Sequence, residues 1–265
     1  GLFNIDENVC ISLFFKLLSF IREEKPAIVH CHLPWATILG VVASRLAAIK
    51  NIIIHDHNTP KFYAKKIRLA LFFTRFLASL SLCYSSSVQK EIFGKVSVFD
   101  KSDIRINKKS YTIYNGVNLK EIDKVKNTVD FENKRNSLGV SKDDILVLTV
   151  SRLISWKGHK NLLEAMAMAQ KKNNNIKLLV VGYGPEEKNI LESIKKLGLE
   201  KSVIFLGPRR DALEIMAVSD IFSSVLAYPK DFNSESVGVS ALEAMAIPLA
   251  VIIGQYPGRE NNIKD

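Results

Sequence analysis

Short apolar runs rich in β-branched residues alternate with longer stretches of helical periodicity along the chain. Most of these runs show no alternation of polar and apolar positions, which is typical of parallel strands buried on both faces. The predicted strands are 27–32, 51–57, 79–85, 111–115, 145–151, 176–182, 202–207, 221–226 and 249–254. The predicted helices include 10–23, 35–48, 159–172, 186–197 and 209–218. This alternation of strands and helices predicts an α/β protein with parallel sheets.

The polar, charge-dense stretch 119–144 interrupts this alternation, and a fresh series of strands begins directly after it. We interpret residues 126–142 as the linker between two α/β domains, 1–125 and 143–265. Each half holds only four or five predicted strands, and eleven residues follow the last one. The pattern therefore predicts an excerpt of a longer protein, cut at both ends.

Composition agrees with a folded protein of two domains. The chain has 265 residues, 47% of them hydrophobic, which is enough for two ordinary cores. The longest apolar stretch, 35–49, contains Arg45 and is shorter than the ~20 residues that a membrane span requires. No secretory signal is expected, and the three cysteines show no metal-binding or paired spacing. These features predict a reducing compartment, the cytoplasm.

The net charge of +10 is concentrated in the first half of the chain. Residues 1–150 carry 22 basic and 14 acidic side chains, against 15 and 13 in residues 151–265. This excess favours an anionic partner such as a membrane surface, and a solvated basic face explains it equally well. The aromatic and basic run 61–77 could dock on anionic lipid headgroups, or it could be a helix packed on its sheet. No motif for nucleic-acid recognition organises the basic residues.

Two cations follow the first strand of the second half. Arg152 lies directly beyond that strand, and Lys157 comes just before Gly158 and the next helix. Ligands of open α/β sheets bind beyond the carboxyl ends of the strands. An arginine and a lysine at such an edge suit a phosphate or diphosphate, and a helix-start turn with solvated charges is the alternative. After the next strand, Gly184 permits a close approach of the backbone.

The segment 234–248 carries two carboxylates, Glu235 and Glu243, with seven residues between them. A helix is predicted to start between the two, and free backbone N–H groups at its start can bind an anion. The residues at this start are Ser236, Val237 and Gly238. Glu235 could accept hydrogen bonds from sugar hydroxyls, and Glu243 could reach a ribose. Alternatively, Ser240 and Glu243 form a capping box.

Four of the five histidines lie in or near the first two strands. His30, His32 and His55 are expected to be core histidines with satisfied hydrogen bonds. His57 stands at a strand end and has a better claim to a functional role. His159 follows Gly158 and is expected at the surface.

These motifs, in this order, resemble the retaining GT-B glycosyltransferases of family 4, the glycosyl transferases group 1. Three segments resemble the donor-binding lobe of that family: SRLISWKGHKNLLEA, LLVVGYGPEE and SESVGVSALEAMA. Three others resemble its acceptor lobe: PAIVHCHLPWA, IIHDHN and YTIYNGVN. The resemblance covers about residues 25–265. It implies two Rossmann-like lobes whose parallel sheets face each other across a cleft.

The resemblance implies a role for each matched residue. Arg152 and Lys157 would hold the donor diphosphate and stabilise the charge on the leaving group. Glu235 would lie beside the donor sugar, and Glu243 would bind the nucleotide ribose. His57 would lie close to the reacting sugar.

The resemblance also implies a retaining transfer without a protein nucleophile, in which a phosphate oxygen takes the proton of the attacking acceptor hydroxyl. The donor is a nucleotide-diphosphate sugar, and the backbone around Gly207 and Arg209 flanks its base. Neither a metal nor another cofactor is expected. The acceptor is a glycan or a lipid-linked molecule of cell-surface polysaccharide or lipopolysaccharide assembly, and the enzyme is cytoplasmic or peripheral on the inner face of the plasma membrane.

Two other functions are alternatives. A GT-B-like fragment could serve as a non-catalytic binding or scaffold module, which would bind nucleotide without turnover. A sugar-nucleotide epimerase of the same fold would need a different set of carboxylates and histidines, and we do not find that set in the sequence.

Overall fold

The structure is a computed structural model that describes residues 7–99, 109–226 and 238–254. These residues form two compact units, one of residues 7–99 and 109–115 and the other of residues 116–226 and 238–254. Each unit contains one parallel sheet. The nine predicted strands are all present, with ends that agree to within three residues. None of the described helices is long and apolar enough to cross a membrane.

The first unit has a four-stranded sheet in the order β1-β2-β3-β4. The strands are β1 Ile28–His32, β2 Asn51–Asp56, β3 Leu80–Cys83 and β4 Ser110–Thr112. Its helices are α1 Glu7–Glu24, α2 Pro34–Leu46, α3 Lys65–Leu77 and α4 Ser86–Phe93, and a 3-10 turn covers Pro60–Phe62. Parallel register places His32 opposite His55.

Strands β1 and β2 are buried on one face, so the prediction of burial on both faces is wrong for this pair. Cys31, Ile52 and Ile54 pack with α1 and α2 in the core of the first unit. On the opposite face, Ile28 is 56% exposed and Ile53 is half-buried. This face is less buried because, among the described residues, α1 and α2 cover only the other face of the strand pair.

The second unit has a five-stranded sheet in the order β7-β6-β5-β8-β9. The strands are β5 Ile145–Val150, β6 Ile176–Val181, β7 Val203–Gly207, β8 Ile221–Ser224 and β9 Ala250–Ile253. The helices are α5 Leu119–Thr128, α6 Phe131–Ser137, α7 His159–Gln170, α8 Glu187–Lys196, α9 Ala212–Ala217 and α10 Val239–Met245, with a 3-10 turn at Ser155–Lys157. The strand order reverses between β5 and β8, which is the position where open sheets of this kind bind their ligands.

The central strand β6 explains why its sequence is a continuous apolar run. Leu179 and Val181 belong to one hydrophobic cluster, whereas Leu178 and Val180 belong to another. Because side chains alternate between the two faces of a strand, the two clusters lie on opposite faces of the sheet. The second unit therefore has the doubly covered sheet that its sequence predicts.

The polar stretch 119–144, which includes the predicted linker 126–142, is folded onto the second unit. It contains α5 and α6. Ile122, Leu138 and Val140 are almost fully buried in the cluster that also contains Leu146 and Leu148 of β5. The stretch is amphipathic, since these three apolar side chains are buried whereas Leu119 is 59% and Phe131 is 47% exposed.

Arg135 of α6 fastens this stretch to the sheet. Its guanidinium is 2% exposed and donates to the carbonyl oxygens of Val218 at 3.0 Å and Ser141 at 3.0 Å. It also forms a 3.2 Å ion pair with Asp220, whose carboxylate accepts the N–H of Leu146 at 2.7 Å. Arginine keeps its charge when it is buried, and these acceptors offset the free-energy cost of removing that charge from water.

His159, at the start of α7, is buried and only 5% exposed, so the prediction of a surface position is wrong. Its Nε2 lies 3.1 Å from the hydroxyl oxygen of Ser151. The ring shares one helix face with Leu162, Leu163 and Met166, which are the other buried residues of α7. This spacing is the ordinary pattern of a packed helix. Burial, and after it the nearby charge of Lys157, lowers the pKa of His159 to about 4.

We expect this buried ring to make the fold sensitive to acid. The folded-state pKa of about 4 lies below the unfolded value of ~6.5. The unfolded chain therefore binds a proton that the folded chain does not, and the free energy of unfolding falls as the pH falls through this window. Between pH 6.5 and pH 4, His159 lowers the free energy of unfolding by up to about 3 kcal/mol.

Urea denaturation at several pH values measures this effect. The His159→Gln variant should lose its stability less steeply than the parent chain between pH 6.5 and 4, by up to about 3 kcal/mol. Ser151→Ala is the matched control, because it removes the hydrogen bond and keeps the titrating ring. Identical pH profiles for His159→Gln and the parent chain would contradict the assignment.

Candidate functional site

The connection from β5 to α7 carries both predicted cations. Arg152 lies two residues beyond the end of β5 with an exposed side chain, and Lys157 is half-buried in the 3-10 turn. Gly158 has a φ of 67° and starts α7. A glycine adopts this left-handed conformation without the strain that a Cβ would add. Both cations therefore lie beyond the carboxyl end of β5, next to the switch point of the sheet.

The connection from β6 to α8 packs directly on this first connection. Gly182 has a φ of 146° and Gly184 a φ of 158°. A Cβ on Gly182 would lie 1.9 Å from the carbonyl oxygen of Ser151, and a Cβ on Gly184 would lie 2.3 Å from that of Leu153. Neither position can carry a side chain in this arrangement. The close approach expected at Gly184 is thus made to protein backbone, and its contact with a donor stays a prediction.

Backbone hydrogen bonds hold the two connections together. The N–H of Leu153 donates to the carbonyl of Tyr183 at 2.9 Å, and the N–H of Glu186 donates to the carbonyl of Leu153 at 3.0 Å. At the next strand, the N–H of Gly182 donates to the carbonyl of Gly207 at 2.9 Å. The ends of β5, β6 and β7 are therefore joined at one edge of the sheet.

Arg209 follows β7 and its side chain is engaged within the protein. Its Nε and Nη2 donate to the two carboxylate oxygens of Asp211 at 2.8 and 2.6 Å. Lys134 also contacts Asp211, at 2.7 Å. The hydrogen bonds from Arg209, together with Lys134, hold the pKa of the Asp211 carboxyl below its usual value. The predicted contact of a base with the backbone near Gly207 and Arg209 stays a prediction.

Helix α10 begins at Val239 and is bound to β5. Gly238 is its N-cap residue, and among the described residues no side chain caps it and a Cβ there would meet nothing within 4 Å. The hydroxyl of Ser240 donates to the carbonyl of Val150 at 3.0 Å. The alternative of a capping box at Ser240 is therefore wrong, because this residue lies inside the helix and its hydroxyl is used to attach the first turn to the end of β5.

Glu243 lies in the second turn of α10 and is half-buried. Burial raises the pKa of its carboxyl, and the nearby Glu121 raises it further. Such a group is a ready acceptor for hydroxyl donors. Three further candidates, Glu235, Ser236 and Val237, lie outside the described residues.

His57 belongs to the first unit, whereas the other described candidates belong to the second. It lies one residue beyond β2, and its Nε2 is 2.7 Å from Nδ1 of His32. Burial, followed by the charges of neighbouring histidines, lowers the pKa of His57.

The other three histidines of the first unit are not satisfied core residues, so that prediction is wrong. His30 and His32 are exposed. His55 is half-buried, and neither ring nitrogen has a hydrogen-bond partner among the described residues. A histidine at every second position of two strands was the signal in the sequence, since it places the rings on one face.

Comparison with known proteins matches both halves of the chain. The family model of glycosyl transferases group 1 matches residues 130–265, and that of Glycosyltransferase Family 4 matches residues 6–121. An uncharacterized glycosyltransferase of Methanocaldococcus jannaschii is 27% identical over 94% of this chain and 63% of its own length. The alpha-monoglucosyldiacylglycerol synthase of Streptococcus pneumoniae is 26% identical over 95% of this chain and 57% of its own length. The chain therefore spans about three fifths of the length of these relatives.

Among solved structures, HepE of Anabaena in complex with UDP and glucose is similar in fold. It superposes with a TM-score of 0.78 at 24% identity, over 96% of this chain and 65% of the HepE chain. Since the group 1 model covers just over half of the chain and the family 4 model most of the remainder, the protein belongs to the glycosyl transferases of group 1 and family 4, with a GT-B fold.

Proposed function

We propose that the protein transfers a sugar from a nucleotide-diphosphate sugar to a hydroxyl group of a glycan or lipid-linked acceptor, with retention of configuration. One observation carries the proposal: Arg152, Lys157 and the first turn of α10 are all attached around the carboxyl end of β5. This end borders the switch point, where sheets of this order bind nucleotides.

The residues at this end suit the charge of a diphosphate. The exposed guanidinium of Arg152 offers two parallel donors to phosphate oxygens, and Lys157 adds a point charge. No described residue lies within 4 Å of a Cβ position at Gly238, which fits an approach of a phosphate to the backbone there. As the bond between sugar and phosphate breaks, negative charge develops on the leaving diphosphate, and fixed cations stabilise that charge without reorganisation.

The carboxylates suit the hydroxyl groups of the donor. Glu243 is half-buried beside Glu121, so hydroxyl donors from a ribose would offset part of the cost of its burial. Glu235, Ser236 and Val237 precede Gly238 directly in sequence, and we assign them to the donor sugar and its phosphate on the family motif. His57 is assigned to the reacting sugar on the same basis.

Retention is proposed on the family motif, and a transfer without a protein nucleophile fits a sequence in which we find no second carboxylate to pair with Glu235 as glycosidases pair theirs. The acceptor hydroxyl would attack on the face that the diphosphate leaves, and a phosphate oxygen would take its proton. UDP-sugars are the first donors to test, because HepE was solved with UDP-glucose. No metal or cofactor has a role at the diphosphate in this scheme.

The first unit offers a surface for a lipid-linked acceptor or for a membrane. Helix α3 packs on its own unit through Leu71 and Thr74, the buried residues of this helix. Its exposed residues form an aromatic and basic surface, which consists of Lys65, Lys66, Arg68, Leu69, Phe72, Phe73 and Phe76. Such a helix lies on anionic headgroups with its apolar side chains inserted. We place the reaction at the cytoplasmic face of the plasma membrane, in glycolipid or cell-surface polysaccharide synthesis, and the S. pneumoniae relative named as a glycolipid synthase supports this setting.

The donor site is tested by thermal unfolding with UDP-glucose. A ligand that binds only the folded chain raises the unfolding midpoint. The Arg152→Ala variant should bind UDP-glucose roughly 10- to 100-fold more weakly, since hydrogen bonds to charged groups contribute about 1.5–3 kcal/mol. Lys188→Ala is the control, because the side chain of Lys188 is 87% exposed on α8. A midpoint that no UDP-, GDP- or ADP-sugar raises, or one raised equally in Arg152→Ala, would overturn the proposed donor site.

The membrane surface is tested by co-sedimentation with vesicles that contain phosphatidylglycerol. The parent chain should bind these vesicles and release them at high salt, since the contact combines charge with apolar insertion. Replacing both Phe72 and Phe76 by serine should weaken binding at least tenfold, because each buried phenylalanine contributes about 1.5–3 kcal/mol. Met168→Ser, at a side chain 69% exposed on α7, is the matched control. Equal binding of the double variant and the parent chain would exclude α3 as the docking surface.

A further inference from the structure

The first unit carries four histidines as a two-by-two array on one face of its sheet. His30 and His32 are two residues apart on β1, and His55 and His57 are two residues apart at the end of β2. The rings are in mutual contact, with centroid distances of 4.2 Å for His30–His32, 4.4 Å for His55–His57 and 5.0 Å for His32–His57. The array is a consequence of parallel register, which places His32 opposite His55.

The ring nitrogens converge in a way that suits one metal ion. His30, His32 and His55 each offer a nitrogen, and these three atoms lie within 4.8 Å of one another. Three imidazoles on a zinc ion have Zn–N distances of ~2.0–2.1 Å, which separates their nitrogens by about 3.3 Å in a tetrahedral site. Binding of an ion would therefore require rotation of these side chains about their χ angles to bring the three nitrogens closer together.

His55 in particular lacks a partner. Both of its ring nitrogens are buried without a hydrogen bond among the described residues. An unpaired polar atom that is removed from water is costly, and a metal ion would supply the missing partner.

We propose that His30, His32 and His55 form a binding site for a divalent transition-metal ion, with zinc as the expected ion. Imidazole ligands suit zinc, nickel and copper and disfavour magnesium and calcium. His57 contacts His32 at 2.7 Å and orients its ring, as hydrogen-bond partners of metal-bound histidines commonly do. Three protein ligands leave a position open for water or for an oxygen of a bound molecule.

Isothermal titration of the chain with zinc chloride, repeated with nickel chloride, tests the site. The parent chain should bind one ion. Variants His30→Ala and His55→Ala should each lose binding at least tenfold, and His57→Ala should weaken it by roughly 10- to 100-fold, the range typical of an orienting partner. The remaining histidine supplies the matched control: His159→Gln should bind as the parent chain does, because His159 lies in the second unit.

Two further measurements keep the test decisive. His30 is exposed, so the midpoint of metal-free His30→Ala should match that of the parent chain, and zinc should raise only the midpoint of the parent. Cobalt in place of zinc should give a spectrum without a thiolate charge-transfer band, because the proposed ligands are all imidazoles. Absence of binding, binding that survives in the His30→Ala/His55→Ala double variant, or a thiolate band from the cysteines would each overturn the proposal.

Discussion

In the second unit, the backbone at Gly182 and Gly184 lies against the carbonyl groups of Ser151 and Leu153, so close that a Cβ at either glycine would overlap them. Arg152 is the residue between these two contacts. Its neighbour Leu153 is fully buried, and Ser151 is held by the buried ring of His159. Because both neighbours are fixed, the backbone position of Arg152 is constrained although its side chain is exposed. The two glycines thus determine where the main cation of the site is presented.

Hydrogen bonds to backbone carbonyl groups also attach α10 and the end of β7 to this edge of the sheet. The hydroxyl of Ser240 binds the carbonyl of Val150, which brings the first turn of α10 to the strand that precedes Arg152. The carbonyl of Gly207 accepts the N–H of Gly182, which adds the end of β7. A site assembled in this way is preorganised, so charge that develops on a ligand meets donors that need not move. This preorganisation supports the proposal that a diphosphate binds at this edge.

Much of this arrangement could be predicted from sequence because it depends on local signals. Continuous apolar runs located the strands of the second unit, since a strand buried on both faces needs apolar residues at every position. The position of Arg152 and Lys157 after such a run indicated a site at the sheet edge. The alternative of a capping box at Ser240 could not be excluded from sequence because the actual partner, Val150, is 90 residues away in sequence. Local pattern contains no information about that contact.

Two other features were in the sequence but needed a different interpretation. His159 has the spacing of a buried helix face with Leu162, Leu163 and Met166, although it directly follows the polar turn that contains Lys157. The histidines of β1 and β2 alternate within each strand, but only the parallel register brings the two pairs together. Pairing between strands is a property of the sheet, so it could not be predicted from either strand by itself.

The most direct test of the central claim compares the binding of UDP and uridine by isothermal titration, in the parent chain and in Arg152→Ala. The two ligands differ only in the diphosphate, so the ratio of their affinities isolates its contribution. We expect UDP to bind the parent chain at least about 30-fold more tightly than uridine, and Arg152→Ala to reduce this ratio roughly tenfold or more, while its affinity for uridine stays unchanged. A ratio that is the same in both chains would show that Arg152 does not contact the diphosphate, and would contradict the account.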